Sequence, residues 1–382
     1  MSTKLSRRDW FRSSLALTGG VMLSTSLAEQ LMAAPVSKAE MEYMPFALPA
    51  SQLIRLGSNE NPYGPSPKAR AAIQAIMSEG NRYADDQSRE LRELIAKYEG
   101  VSPDYIFVGA GSAECLCLTG MAVGLEGASV LSAFPTFRLL MDYAVKFKAR
   151  WDRVDLDQYL VHNLDAMASA LKPDTKIMFL CNPNNPTGTV LNADRLKSFC
   201  VEMAKKTTVY VDEAYLELLE PNEQVSMASL VKEGHNVIVS RTFSKVYGLA
   251  GLRVGYVVAP PDVVKRMANY QMGPILNQAG LAAAKASLGD RDFAALTRQK
   301  NNEAMKFFTD YLDKKKYFYG KSRTNCILFP APKDGKTILA ETEKRGFQIR
   351  VWDYQGKEWC RVSIGTLEEM KLFIKAFDEV IA

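Results

Sequence analysis

Lys245 stands in Ser240-Arg241-Thr242-Phe243-Ser244-Lys245, and Arg253 follows inside Gly248-Leu249-Ala250-Gly251-Leu252-Arg253-Val254-Gly255. A lysine flanked by two hydroxyls, a guanidinium and several glycines suits an aldehyde cofactor that also carries a phosphate. The amine can form a Schiff base, while Thr242, Ser244, Arg253 and close backbone approach hold the phosphate. Upstream, Val209-Tyr210-Val211-Asp212-Glu213-Ala214-Tyr215 reads as an apolar strand that ends in a carboxylate, with a phenol shortly after. An Asp at a strand's carboxyl end can pair with a pyridinium nitrogen, and Tyr215 beside it can reach a ring hydroxyl. Lys245 alone reads as a surface lysine after a core strand, because lysines are mostly exposed. The ordered set of partners is what points to chemistry.

Three further segments fit around such a group. Gly109-Ala110-Gly111-Ser112-Ala113-Glu114 follows a strand and opens a helix, where unpaired backbone N–H groups bind phosphate. Taken alone, it is only a glycine-rich turn. Ala133-Phe134-Pro135-Thr136-Phe137 brings Phe137 after the next strand, as a ring to stack on a flat heteroaromatic or as a core aromatic. Cys181-Asn182-Pro183-Asn184-Asn185-Pro186-Thr187-Gly188 is the most specific of the three. Its two Asn-Pro steps fix a rigid loop at a strand's carboxyl end, from which an amide can reach the ring hydroxyl.

Composition narrows the alternatives. A chain of 382 residues can hold two subdomains and a large core. Its formal charge of +5 is spread without a long basic run, so nucleic acid is not an expected partner. His162 and His235 are the only histidines, which speaks against a histidine-rich metal site and against a Ser-His-Asp triad. No metal is expected. The six cysteines include no Cys-x-x-Cys pair and read as buried thiols.

The N-terminus carries a different signal. Ser6-Arg7-Arg8-Asp9-Trp10-Phe11-Arg12 precedes a weakly apolar, small-residue run from Ser13 to Ala28. This resembles a twin-arginine export signal, with cleavage after Ala28, Ala33 or Ala34, and implies a periplasmic or exported protein. An N-terminal amphipathic helix is the other reading, and it leaves the chain cytoplasmic. The run is too polar for a permanent membrane anchor, and no later segment approaches the ~18 apolar residues of a span.

Strands are expected at Tyr105 to Val108, Ser129 to Ser132, Lys176 to Leu180, Thr208 to Val211, Val237 to Ser240 and Gly255 to Val258. Helices separate most of them, for example Ser88 to Tyr98 and Ala193 to Lys205, and another begins at Pro67. This alternation predicts an α/β fold with a mostly parallel sheet covered on both faces. Beyond Asp262 the pattern changes to long helices, such as Asp292 to Lys315. Strands follow near Cys326 to Phe329, Gln348 to Val351 and Cys360 to Ile364, then a final helix from Leu367 to Val380. The division expected is a signal and arm over 1–34, an N-terminal arm and part of the small domain over 35–72, a large domain over 73–270 and a small α+β domain over 271–382.

Together these pieces resemble the pyridoxal 5'-phosphate (PLP)-dependent aminotransferases of the aspartate aminotransferase fold, class I/II. The histidinol-phosphate aminotransferases are the most similar branch. The resemblance runs from Ile54 to the C-terminus and rests on Asn59-Glu60-Asn61-Pro62-Tyr63-Gly64, Asn184-Asn185-Pro186-Thr187-Gly188, Asp212-Glu213-Ala214-Tyr215 and Ser244-Lys245. It implies that Lys245 carries the cofactor and then shuttles the proton, that Asp212 keeps the ring nitrogen protonated, and that Asn185 and Tyr215 bind the ring oxygen. It assigns the phosphate to Ser112, Ala113, Thr242, Ser244 and Arg253, and the stacked ring to Phe137. Tyr83, in Asn81-Arg82-Tyr83-Ala84-Asp85, matches a tyrosine that reaches the neighbouring subunit's phosphate, which implies a homodimer; here Ala84 replaces the usual proline.

Arg361, in Cys360-Arg361-Val362-Ser363, matches the arginine that grips a substrate α-carboxylate, a task for a planar guanidinium. Arg350 falls where the family meets the substrate's distal anion, with Tyr63 and Asn61 as further substrate contacts. The family continues with Arg-Asp there, whereas this chain reads Arg350-Val351-Trp352-Asp353-Tyr354, so the far end of the substrate stays open. The activity implied is transfer of an amino group between an amino acid, or a histidinol phosphate-like amine, and a 2-oxo acid. A decarboxylase of the threonine-phosphate decarboxylase type uses the same residues, and a non-catalytic PLP-binding protein is the third reading.

Overall fold

Among the described residues twelve short strands carry the architecture, and those at the centre of the largest sheet are apolar and buried. The computed structural model describes residues 53–273 and 275–382; the segment expected to be an export signal and the first part of the expected arm lie outside the described residues. The strands are β1 (Ile54–Arg55), β2 (Ile106–Gly109), β3 (Ser129–Phe134), β4 (Arg150–Asp155), β5 (Thr175–Cys181) and β6 (Thr208–Asp212), followed by β7 (Val237–Thr242), β8 (Gly255–Val258), β9 (Cys326–Pro330), β10 (Phe347–Gln348), β11 (Arg350–Tyr354) and β12 (Lys357–Ser363).

Seven of them form one sheet in the order β2-β8-β7-β6-β5-β3-β4. Its pairs from β7 to β4 are parallel, and β8 runs antiparallel between β2 and β7. The mostly parallel α/β sheet is therefore present as expected. Its central strands are buried on both faces, as a sheet covered by helices requires. One strand had no sequence expectation: β4, Arg-Trp-Asp-Arg-Val-Asp. It sits at the sheet edge, where charge is tolerated and apolar continuity is not needed.

A second sheet, β11-β12-β9, is antiparallel, and a two-stranded parallel pair joins β1 to β10. These strands pack with the helices Arg291–Lys314 and Leu367–Ile381 in a core of their own, built around Phe308, Phe329, Phe373 and Phe377. The strand expected at Gln348 to Val351 is two strands, divided at Ile349, because its halves pair with different partners. The helix begun by Pro67 runs to Ile76, with Ser66 capping Ala69 N–H. All six cysteines are free thiols. Among the described residues, no helix is long and apolar enough to cross a membrane.

Candidate active site

The carboxyl ends of β2, β3, β5, β6 and β7 lead into the loops singled out above, and these converge at one end of the sheet. Parallel sheets hold ligands at that edge. There a cavity of about 250 Å³ is lined by Ser112, Ala113, Phe137, Asn185, Asp212, Tyr215, Thr242, Ser244, Lys245, Arg253, Arg350 and Arg361. Ser58, Asn59 and Glu60 close it from the segment after β1. Ten cofactor residues and both arginines expected of the substrate site thus share one space.

Lys245 points its amine at two backbone carbonyls, Asn59 O at 3.0 Å and Ser58 O at 3.4 Å. Burial and the nearby Arg361 guanidinium lower its pKa to about 8, so a free amine is accessible near neutral pH. Its ammonium lies 5.4 Å from the Tyr215 ring centroid. The Tyr215 hydroxyl accepts from Asn59 Nδ2 at 2.9 Å, and burial holds the phenol well above its ordinary pKa. Asn59 has φ 52° and is itself pinned: its N–H donates to Ser363 Oγ, which donates back to Asn59 Oδ1, both at 2.8 Å. Sequence reasoning named the Asn59 segment as a motif but gave Asn59 no role. Its link to Tyr215 spans 156 positions, a distance no local pattern records.

Asp212 is 2% exposed. Burial raises its pKa to about 6, against the Ser240 hydroxyl and the Ala214 N–H, which favour the anion. Buried carboxylates are retained where a cation or donor meets them. At the other end of the cavity, Thr242 Oγ1 donates to Ser244 Oγ at 2.9 Å, and Arg253 Nη1 reaches Ser244 Oγ at 3.4 Å. The helix Ser112–Leu125 starts there with no side-chain cap, so its first N–H groups face the cavity. A Cβ on Gly111 would strike the Arg253 guanidinium, and one on Gly255 would strike Ser112 N, so both glycines are needed for this approach.

Arg361 lies almost wholly inside. Its Nη1 donates to Asn185 Oδ1 at 2.9 Å and its Nη2 to Gly57 O, while its buried Nε has no partner. Arg350 is its cross-strand neighbour, Arg350 on β11 opposite Arg361 on β12. Two like charges directly opposite repel, unless an anion lies between them. The register therefore sets these arginines side by side, and both line the cavity. Asn61 and Tyr63 line a small adjoining pocket that shares Lys245, with Asn61 Nδ2 donating to Val246 O at 2.9 Å. Tyr83 is not brought to the cavity. It is 79% exposed and borders a separate surface pocket with Met272 and Leu276.

These groups fit PLP. A buried carboxylate, an amine of lowered pKa, a half-buried Phe137 ring and an uncapped helix start with Thr242, Ser244 and Arg253 match a pyridine ring, an aldehyde and a phosphate.

The comparisons with known proteins agree. Residues 51–377 match the family Aminotransferase class I and II. Histidinol-phosphate aminotransferase of Brevibacillus brevis is 35% identical over 87% of this chain and 91% of its own. Histidinol-phosphate aminotransferase 2 of Ralstonia nicotianae is 33% identical over 96% of this chain and 98% of its own. Among solved structures, histidinol-phosphate aminotransferase from Sinorhizobium meliloti in complex with pyridoxal-5'-phosphate superposes with a TM-score of 0.79 at 25% identity. That match covers 95% of this chain and 98% of that one.

Proposed function

The chain belongs to the class I and II aminotransferases, and from that premise we propose which residues do its chemistry and which donor it takes. It is a PLP-dependent transaminase. When bound, PLP supplies an aldehyde for the donor amine and a protonated ring that withdraws electrons from the bonds to the amine-bearing carbon. Lys245 carries the cofactor at rest. Once displaced by the donor, its amine takes the proton from the donor carbon and returns it one atom away. In the protein without cofactor, burial and Arg361 already hold this amine well below the ordinary lysine range, which favours a free base. Asp212 holds the proton on the ring nitrogen. Asn185 and Tyr215 orient the ring oxygen, Phe137 stacks on the ring, and Ser112, Ala113, Thr242, Ser244 and Arg253 hold the phosphate.

The donor is an amine whose neighbouring carbon carries an anion. The supporting observation is the Arg350–Arg361 pair facing the cavity that holds Lys245. A guanidinium pair suits a carboxylate and suits a phosphate dianion better. A histidinol phosphate-like amine fits that preference and the names of the relatives at 33–35% identity. The test is to mix the PLP-loaded enzyme with histidinol phosphate, glutamate and an aromatic amino acid and follow the cofactor absorbance. Complete conversion to the amine form fastest with histidinol phosphate is the expected result. Release of carbon dioxide would mark a decarboxylase instead.

Two further readings belong here. The exposed Tyr83 and Met272 suit a homodimer in which Tyr83 meets the partner's cofactor phosphate. Light scattering should give twice the chain mass, and Tyr83→Ala should weaken PLP binding. Arg7 and Arg8 are read as the export signal. Replacing both by lysine should keep the protein in the cytoplasmic fraction; export of that variant would refute the reading.

A further inference from the structure

Ser240 entered the sequence reading only as the first residue of the lysine motif. In the fold it is the direct cross-strand partner of Asp212, β7 against β6, and its Oγ donates to Asp212 Oδ1 at 2.9 Å. Ser240 is fully buried and Asp212 nearly so. Water is shut out, and a hydroxyl given to a buried carboxylate is worth more there than on a surface.

A third group shares this face. Tyr210 lies two residues before Asp212 on the same strand, so its side chain points the same way. Its ring is sealed against Phe179, and its hydroxyl has no partner within ordinary hydrogen-bond geometry. The side-chain hydroxyl it faces is that of Ser240. A phenol this buried stays protonated and brings no charge to this face. Serine has one hydrogen to give and two lone pairs to receive. An ionised Asp212 accepts only, which commits the Ser240 hydrogen to it. The direction of this bond is thereby fixed: Ser240 toward Asp212.

Nothing about packing demands a hydroxyl here. The neighbours on this face are apolar, Phe179, Ile238 and Val257 among them, and alanine would fill nearly the same volume. The charged or ionisable groups that face Asp212 are Lys245, Cys115, Cys181 and Tyr210. Both thiols are pushed well up by burial and so add no charge. Ser240 is thus the side-chain donor that favours the Asp212 anion.

We propose that Ser240 is a positioning residue that keeps Asp212 ionised and aimed at the ring nitrogen of bound PLP. This rests on the reading that Asp212 meets that nitrogen. Without Ser240 the carboxylate binds a proton more tightly, and the shared proton moves from the ring nitrogen toward Asp212.

The test loads Ser240→Ala, Ser240→Thr, Asp212→Asn and the parent protein with PLP carrying ¹⁵N in its ring, and records the ¹⁵N shift, the PLP dissociation constant and Tm. Ser240→Ala should move the nitrogen signal toward its unprotonated position and weaken PLP roughly ten- to hundredfold, the value of a hydrogen bond to a charged group. Ser240→Thr, which keeps the hydroxyl, should restore both. An unmoved nitrogen signal in Ser240→Ala, while Asp212→Asn does shift it, would overturn the proposal and leave Asp212 in place. A lowered Tm with an unmoved signal would overturn it too, in favour of a packing role. If Asp212→Asn also leaves the signal unmoved, Asp212 does not meet the ring and both readings fall.

Discussion

Two sets of charges sit on opposite faces of the same strand ends, one buried and closed, the other open to a cavity. On the face opposite the cavity, Arg241 is surrounded by three carboxylates. Its Nη2 lies 2.7 Å from Glu217 and its Nη1 3.3 Å from Glu213 and 3.8 Å from Glu99. Glu213 also accepts from Ser226 Oγ and Met227 N–H at 2.7 Å each, and Glu99 accepts from Tyr256 OH at 2.5 Å. The chain supplies partners for each carboxylate there. Across the sheet, Lys245, Arg253, Arg350 and Arg361 face a cavity with Asp212 and Glu60, and Glu60 is paired with Arg55 at 2.8 Å. Residues that alternate along β7 divide the two: Ser240 and Thr242 on the cavity side, Arg241 on the other. Burial of charge by itself therefore says little about function. An excess of one sign without matching counter-charges is what marks where a ligand completes the network.

The sharpest way to break this contrast is to remove one charge from each side. Lys245→Ala should abolish turnover, with a loss beyond the roughly 10²–10⁴-fold that a general base alone supplies. The protein should stay folded, because the amine leans only on two carbonyls that the cavity can hydrate. Steady-state rates and a thermal melt measure both halves. Near-parental activity would end the assignment. Arg241→Met should do the reverse. Three buried carboxylates lose their cation, at a cost of about 3–5 kcal/mol in stability. The activity per folded molecule should hold at temperatures well below the melt. A denaturant titration that showed no loss would mean the cluster is not closed.

The two regions also differed in how far they could be read from the chain. Lys245, Asp212 and Asn185 stand at strand ends followed by short loops, and local spacing records that arrangement. The phosphate residues were legible for the same reason. The Arg241 cluster was not, because Glu99, Glu213 and Glu217 are scattered and charged residues read as surface. The Arg350–Arg361 adjacency depends on hairpin register, and the Ser240–Asp212 pair on the register of β6 against β7. A one-residue slip would reverse either face, and nothing local fixes it. β4 escaped notice because an edge strand need not be apolar.

Smaller effects are expected from the arginine pair. Arg361→Lys should weaken all donors alike, since a lysine cannot reproduce the guanidinium fork that meets Asn185 and Gly57. Arg350→Ala should cost about 1.5–3 kcal/mol, roughly ten- to hundredfold in kcat/KM, for a phosphate donor. A donor with a single carboxylate should lose less, because Arg361 remains to hold it. Measuring kcat/KM for histidinol phosphate, glutamate and an aromatic amino acid separates the cases. Equal losses on all three would show that Arg350 does not read the anion's charge, and Trp352, 5.9 Å from Arg361, would become the residue to test.

The smallest effect is on stability against pH, and it distinguishes Lys245 from Glu213 by sign. Lys245 in the protein without cofactor has a pKa of about 8, lowered from 10.5. Between those values the unfolded chain binds more protons than the folded one, so Lys245 makes stability rise with pH there. Glu213 is raised from 4.5 to about 7, chiefly by burial, with the Arg241 cation opposing. Between those values the folded chain holds the extra proton, so Glu213 makes stability fall as pH rises. Denaturant titrations of the cofactor-free protein across both windows should show each slope reduced in one variant only. Lys245→Met should flatten the alkaline rise, and Glu213→Gln the acid-side fall. If Glu213→Gln left the fall unchanged, the carboxylates around Arg241 would be fully ionised in the folded protein. Three anions would then outnumber the single Arg241 cation by two, and the distinction between a closed and an open set would fail on its closed side.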